Sequence, residues 1–298
     1  MNQTLASKCL LILGCGYVGK KLAQSCLIHG IRVKATVRHS EQITPLKHLG
    51  VEVVQTADPS SLDATWLQDC NLLLDSIPLS YDDQGAPYQS QSSWLTPLLD
   101  KMPQLAWAGY LSSISVYANS NGAWIDETMP ANATSPRGAE RIIAENTWLN
   151  SLVPAEIFRL AGIYGNERNI IAKLMAGNYK TIQWQPEHYS NRIHVDDIIT
   201  TLMAAMSSPL AGRILNVCDD EPSPHATYAS GLAQLVGAPA PIVLTPTEAK
   251  AQLSEKFISF FSDSKRISNQ KLHQQLVPSL KYPSFKSAAS SLQQVQKS

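Results

Sequence analysis

No apolar run in the chain approaches the roughly 18 residues that a membrane-spanning helix requires. Neither sign of charge is in excess, since 24 basic residues stand against 24 acidic ones. Without a Lys/Arg cluster there is no electrostatic footprint for nucleic acid or for an anionic membrane surface. Cysteine is scarce: Cys9, Cys15, Cys26, Cys70 and Cys218 are scattered, odd in number and contain no CxxC pair. That spacing argues against a disulfide framework and against a thiolate metal site, so no metal is expected. Leu11-Ile12-Leu13-Gly14-Cys15 resembles a bacterial lipoprotein cleavage site, but the apolar stretch before it is too short for a signal sequence. These absences leave a soluble cytoplasmic protein with buried thiols and a small-molecule ligand. At 298 residues it is long enough to bury a sizeable core.

What is present starts near the amino terminus. The apolar run Cys9 to Leu13 leads into Gly14-Cys15-Gly16-Tyr17-Val18-Gly19, which opens an amphipathic stretch ending at Gly30. Strand, glycine turn and helix in this order are a dinucleotide-binding pattern. Gly14 permits the tight turn, Gly16 lets backbone approach a pyrophosphate, and Gly19 allows close helix-strand packing. The phosphates then meet the positive end of a helix.

The front half alternates strand and helix. Strands are expected at Ile31 to Val37, Val51 to Thr56, Cys70 to Ile77, Leu105 to Ser112 and Ala155 to Leu160. Helices are expected over Tyr88 to Lys101 and, behind Ser135 as N-cap and Pro136, over Arg137 to Leu149. This alternation predicts an α/β fold, a Rossmann doubly wound parallel sheet, with a small carboxyl-terminal substrate-binding portion. Beyond Gly162 the pattern is broken by Pro and Gly, while a helix Asp196 to Met206 and a strand Arg213 to Val217 return to the sheet. The expected division is therefore discontinuous: 1–162 with 190–217 for the dinucleotide domain, 163–189 with 218–298 for the substrate portion. Ser287 to Ser298, rich in Ser, Gln and Lys, is expected to fray.

About 20 residues past the glycine turn, an NAD site carries an acidic residue for the ribose 2′-hydroxyl. Here the stretch is Val37-Arg38-His39-Ser40. Arg38 can pair with a 2′-phosphate, which favours NADP(H) over NAD(H). Asp58 is a candidate acceptor for the adenine amino group, or else the cap of the turn at Ser60. Ser76-Ile77-Pro78 ends the fourth strand at the edge a cofactor must pass.

Four further segments, Leu111-Ser112-Ser113-Ile114-Ser115-Val116-Tyr117, Arg159-Leu160-Ala161-Gly162-Ile163-Tyr164-Gly165, His194-Val195-Asp196-Asp197 and Asn216-Val217, resemble the extended short-chain dehydrogenase/reductase superfamily, the NAD(P)-dependent epimerase/dehydratase group. The glycine spacing and the active-site helix depart from the usual pattern and resemble the atypical YeeZ-like subgroup. The resemblance implies an oxidoreductase or epimerase acting on a hydroxyl or carbonyl of a polar, nucleotide-linked substrate. It also implies Ser112 beside the cofactor, Ser113 as the hydroxyl that orients the reacting oxygen, and a Tyr and Lys one turn apart on the next helix.

Aligned back from Ala144-Glu145, those two positions fall on Arg137 and Arg141. An Arg is permanently protonated and cannot replace a phenol whose pKa near 10 the Lys lowers. Arg141 remains a candidate donor to the nicotinamide ribose. Tyr17 with Lys21 and Tyr282 with Lys286 have the Tyr-x-x-x-Lys spacing but lie in the wrong context. A substitute proton carrier is sought first at Tyr164, then at Tyr117, His188 and His194; packing is the plain alternative role for Tyr164, and a structural role for His194. Arg192, with Tyr117, is the candidate substrate contact, and Arg168 a second anion candidate. Asp126 and Glu127 either line a substrate entrance or face solvent. In this superfamily the helices at Tyr88 to Lys101 and Arg137 to Leu149 commonly pair across a homodimer, although core packing would use the same apolar residues. Loss of the Tyr/Lys pair also leaves open a non-catalytic, redox-sensing or regulatory module that only holds the dinucleotide.

Overall fold

The computed structural model describes residues 5–259 and 263–294. They form two compact units, the first from residues 5–116, 131–159 and 198–215, the second from 117–130, 160–197, 216–259 and 263–294. Both are discontinuous in sequence.

The first unit is built on a seven-stranded parallel sheet: β1 (Cys9–Leu13), β2 (Arg32–Val37), β3 (Glu52–Gln55), β4 (Leu72–Asp75), β5 (Trp107–Ser113), β6 (Ala155–Leu160) and β7 (Ile214–Val217). Their order is β3-β2-β1-β4-β5-β6-β7, so the sheet grows in opposite directions from β1. Leu10 pairs with Val33 on one side and with Leu72 on the other. All five residues of β1 are buried, as expected of a central parallel strand covered on both faces.

Helices α1 (Tyr17–Ile28), α2 (Gln91–Leu99), α3 (Pro136–Leu149) and α4 (Val195–Ser207) lie close to their expected ranges. One core packs Leu11, Leu13, Leu73 and Ile157 of the sheet against Leu98 of α2 and Trp148 of α3. Trp94 and Trp148 meet edge to face at 6.4 Å. Ser135 caps α3 through Gly138 N, with Pro136 in the first turn.

Two carboxylates inside this unit are paired. Glu145 of α3 accepts from Arg159 Nε at 3.0 Å, from Arg159 Nη2 at 2.7 Å and from Ser112 Oγ at 2.5 Å. Glu156 accepts from Trp107 Nε1, Leu210 N and Arg213 Nε. Charges so deep are tolerated only when their lone pairs are satisfied.

The second unit has smaller cores. One packs Tyr164, Ile171 and Leu174 with α5 (His225–Val236) and α6 (Phe285–Gln294). Another gathers around Ile182, Leu244 and Ala249. Its strands are short pairs, among them Gly162–Tyr164 with Arg192–His194. Helix α6 differs from the fraying expected of the tail. Phe285, Ala288, Ala289 and Leu292 recur at helical spacing and are buried, while the Ser and Gln between them set the polar composition. Residues 295–298 lie outside the described chain. Among the described residues no helix is long and apolar enough to cross a membrane.

Glu145→Ala leaves the Arg159 guanidinium buried without its counter-charge. The expected loss is about 3–5 kcal/mol, read as a lower midpoint in urea denaturation.

Candidate functional site

The sheet order reverses at β1, and ligands of open α/β sheets bind outside the carboxyl ends of the strands at such a point. The sequence places its glycines there, each under a different steric constraint. Gly14 has φ +69°, and a Cβ on it would lie 3.1 Å from Ile77 Cα. Its N–H donates to Thr36 Oγ1, and Cys15 N donates to Thr36 O, so the turn is tied to the end of β2. A Cβ on Gly19 would press on Ile12 Cγ2 at 3.0 Å, which brings α1 onto β1. At Gly16 the nearest atom to such a Cβ is 3.9 Å away, so the missing side chain leaves open space above backbone. Gly16 is the N-cap of α1, and no side chain caps it. A helix start over an open glycine cradle suits a phosphate. Within the turn, Cys15 and Val18 are buried, and burial pushes the Cys15 thiol up to about 12. Lys21 stacks on the Tyr17 ring.

Across the switch point, Asp75 fixes the end of β4. It accepts from Ile77 N at 3.0 Å, Gln91 Nε2 at 3.0 Å and Trp148 Nε1 at 2.9 Å. Burial raises its pKa, and the three donors oppose that rise. Ser76 N donates to Leu13 O, so Ser76, Ile77 and Pro78 continue beside the glycine turn. Arg38 is exposed directly after β2, with its carbonyl held by Gln55 Nε2. Asp58 takes the capping role, accepting from Ser60 N and Ser60 Oγ.

The Ser113 end of β5 is placed by Gly138. A Cβ there would lie 2.2 Å from Ser115 O and 2.4 Å from Ala133 Cβ, so the start of α3 rests directly on the turn after Ser113. Arg137 immediately precedes Gly138, and Arg141 follows it one helical turn on from Arg137. Ser113 Oγ accepts from Ser115 N. The neighbouring Ser112 is buried with its hydroxyl given to Glu145, so that side chain serves the core. Arg141 donates to Tyr110 Oη at 2.6 Å and to Leu111 O at 3.2 Å. Part of its hydrogen-bonding capacity is therefore spent inside the unit.

In the second unit, Tyr117 is 1% exposed; its hydroxyl donates to Asn216 Oδ1 and its carbonyl accepts from Lys265 Nζ. Arg192 is also buried, bonding Ser190 Oγ and Ser223 Oγ with its guanidinium 4.0 Å from the Tyr228 ring centre. Tyr164 is 4% exposed, and burial, reinforced by Asp219 and Tyr228, pushes its phenol far above the ordinary range. Tyr117 and Arg192 thus have partners inside the unit that short motifs do not reveal, whereas the Tyr164 hydroxyl has no hydrogen-bond partner among the described residues. His194 caps α4, its Nδ1 accepting from Asp196 N. His188 stacks on Trp184. Arg168 exchanges backbone hydrogen bonds with Gly165. Asp126 and Glu127 line a polar hollow of about 310 Å³ with Ser268, Gln270 and Lys271. Glu127 also accepts from Asn216 N.

No family model matches the chain. A functionally unknown conserved protein from Silicibacter pomeroyi shares the fold with a TM-score of 0.86 at 32% identity, over 96% of this chain and 98% of that one. Protein YeeZ of Escherichia coli K12 is 27% identical over 249 residues, 78% of this chain and 86% of YeeZ. The chain shares its fold with proteins of the short-chain dehydrogenase/reductase superfamily and is similar in sequence to YeeZ. Human epimerase family protein SDR39U1, solved with NADPH, shares the superfamily fold with a TM-score of 0.75 at 15% identity, over 96% of this chain and 99% of that one.

The sheet reversal, the glycine turn and the helix behind Ser113 are all present, and that helix carries Arg137 and Arg141 in its first two turns. Sequence reasoning passed over Gly138, although a glycine inside an amphipathic helix is a visible signal of close approach. It also passed over Asp219, for which no local pattern exists. Asp219 is 2% exposed, its Oδ1 has no hydrogen-bond partner among the described residues, and burial pushes its pKa up to about 8 against the pull of Arg192.

The folded protein therefore holds a proton on Asp219 between about pH 4 and 8 that the unfolded chain has released. The contribution of this group to stability falls as pH rises through that window. Asp219→Asn removes this contribution, so its melting temperature relative to wild type is expected to rise from pH 5 to pH 9; a constant difference would exclude the shift.

Proposed function

We propose that the chain binds NADP(H) in preference to NAD(H), at the carboxyl ends of β1, β2 and β4. The observation that carries this reading is the glycine turn, in which Gly14, Gly16 and Gly19 each meet a distinct spatial demand of a dinucleotide site. Gly14 to Gly19 would hold the pyrophosphate, Arg38 a 2′-phosphate, and Ser76 to Pro78 the path toward the nicotinamide. An acidic residue in place of Arg38 would repel that phosphate; an exposed guanidinium can take it in a paired, charge-assisted contact. The NADPH in the human structure is in line with this preference.

The activity we infer is that of an oxidoreductase or epimerase on a hydroxyl or carbonyl group of a polar small molecule, in a reducing cytoplasm that suits five free cysteines. The coenzyme, when bound, supplies or accepts a hydride. Ser113 would orient the reacting oxygen. Arg137, which immediately precedes Gly138, would stabilise negative charge developing there without exchanging a proton. The proton would come from solvent.

A second reading, a redox-sensing or regulatory module that holds the dinucleotide without hydride transfer, is favoured by the state of the phenols. Tyr110 is bound to Arg141, Tyr117 to Asn216, and Tyr164 is buried with its pKa raised.

Fluorescence titration is expected to give about tenfold tighter binding of NADPH than of NADH, the worth of one charge-assisted contact. Arg38→Ala should erase the difference, and equal affinities in the wild type would remove the role of Arg38. Gly16→Val, with no atom closer than 3.9 Å to its Cβ, should fold normally yet bind neither coenzyme. NADPH oxidation over a panel of carbonyl compounds and nucleotide sugars then separates the two activities. Turnover in the wild type that Arg137→Ala abolishes supports the reductase reading. Turnover that appears only in the Arg137→Tyr/Arg141→Lys double variant supports the regulatory one.

A further inference from the structure

Cys9, the first residue of β1, and Cys70, two residues before β4, place their sulfurs 3.8 Å apart, and both residues are completely buried. Their main chains are fixed around this contact. Asn71 N donates to Cys9 O at 3.1 Å, and Cys9 N donates to Asn71 Oδ1 at 3.0 Å. Asp69 adjoins the pair, its Oδ1 4.0 Å from Cys70 Sγ, and gathers two cations: Lys34 Nζ at 2.8 Å and Arg32 Nη1 at 2.6 Å. The other cysteines lack such a setting. Cys26 faces the thioether of Met203, and Cys218 donates to Ile267 O. Burial alone pushes Cys26 up to about 12.

We propose that Cys9 and Cys70 form a dithiol modification site that a hydroperoxide closes into a disulfide, covalently linking β1 to the segment entering β4. The two sulfurs have to close from 3.8 Å to about 2.05 Å, a movement within reach of side-chain rotation at contact distance. Cys9 is the attacking sulfur. The Cys70 S–H directed at it lowers its pKa, and Arg32 and Lys34 act in the same direction, while burial and Asp69 oppose them. Cys70, raised by the same contact, keeps its proton.

The Cys9 thiolate attacks the peroxide O–O bond, forming the sulfenic acid and releasing an alkoxide or hydroxide that takes a proton. The Cys70 sulfur then attacks the sulfenic sulfur, its thiol proton leaves with the departing hydroxide as water, and the S–S bond forms. Two thiols are oxidised, and one peroxide is reduced to an alcohol or water plus a second water. Because both sulfurs are buried, the reaction runs through local opening of the strand ends and is slower than for an exposed thiol.

The native full chain is treated with a large molar excess of hydrogen peroxide, unfolded in N-ethylmaleimide, digested and analysed by mass spectrometry. The expected product is a Cys9–Cys70 cross-linked peptide pair, two hydrogens lighter than the separate thiols, removed by dithiothreitol, with Cys15, Cys26 and Cys218 alkylated. Closure of this long loop is expected to raise the melting temperature of the oxidised form. In Cys70→Ser, Cys9 should stop at a sulfenic acid trapped by dimedone. Alkylation of both Cys9 and Cys70 after peroxide treatment of the wild type, or pairing of either with another cysteine, overturns the proposal whatever the variant does. Neither result depends on coenzyme binding.

Discussion

Close approach of backbone to backbone, made possible by absent side chains, governs the first unit of this protein. At the reversal of the sheet, Gly14 lies against Ile77, and Asp75 holds Ile77 by its N–H. Gly19 brings α1 onto β1, and Gly138 brings α3 onto the turn after Ser113. Interiors packed to crystal density have little room to yield, so these approaches are fixed distances. Every functional group at this edge inherits its position from them.

Much of this was legible in the chain because parallel strands buried on both faces leave unbroken apolar runs. Cys9 to Leu13 and Leu72 to Leu74 could hardly be anything else, and Ser135-Pro136 announces the start of α3. The carboxyl-terminal helix was hidden by its composition: its buried stripe is made of Phe285, Ala288, Ala289 and Leu292, and alanine is a weak apolar signal among serines and glutamines. The glycine turn was readable because its demands are local to six consecutive residues. The surroundings of Tyr117 and Arg192 were not, since Asn216, Ser223 and Tyr228 are brought to them only by tertiary folding. A short motif records which residue stands at a strand end, and burial decides what that residue is available to do.

Polar groups in the interior show the same division. Glu145 and Glu156 have several donors each, whereas Asp219 keeps an oxygen with no hydrogen-bond partner among the described residues, and burial favours its protonated form. Ser112 and Ser113, adjacent in sequence, take opposite fates because successive strand residues face opposite ways. Ser112 enters the Glu145 network, and only Ser113 is left at the turn.

The contact at Gly138 bears on substitution as well as mechanics. The pocket that accepts its bare Cα is formed by a main-chain oxygen and the methyl of Ala133, neither of which senses the side chains at 137 and 141. Those two positions can therefore exchange chemistry while the helix stays seated. The seat of the helix thus depends on the glycine and leaves the side chains beside it open to change.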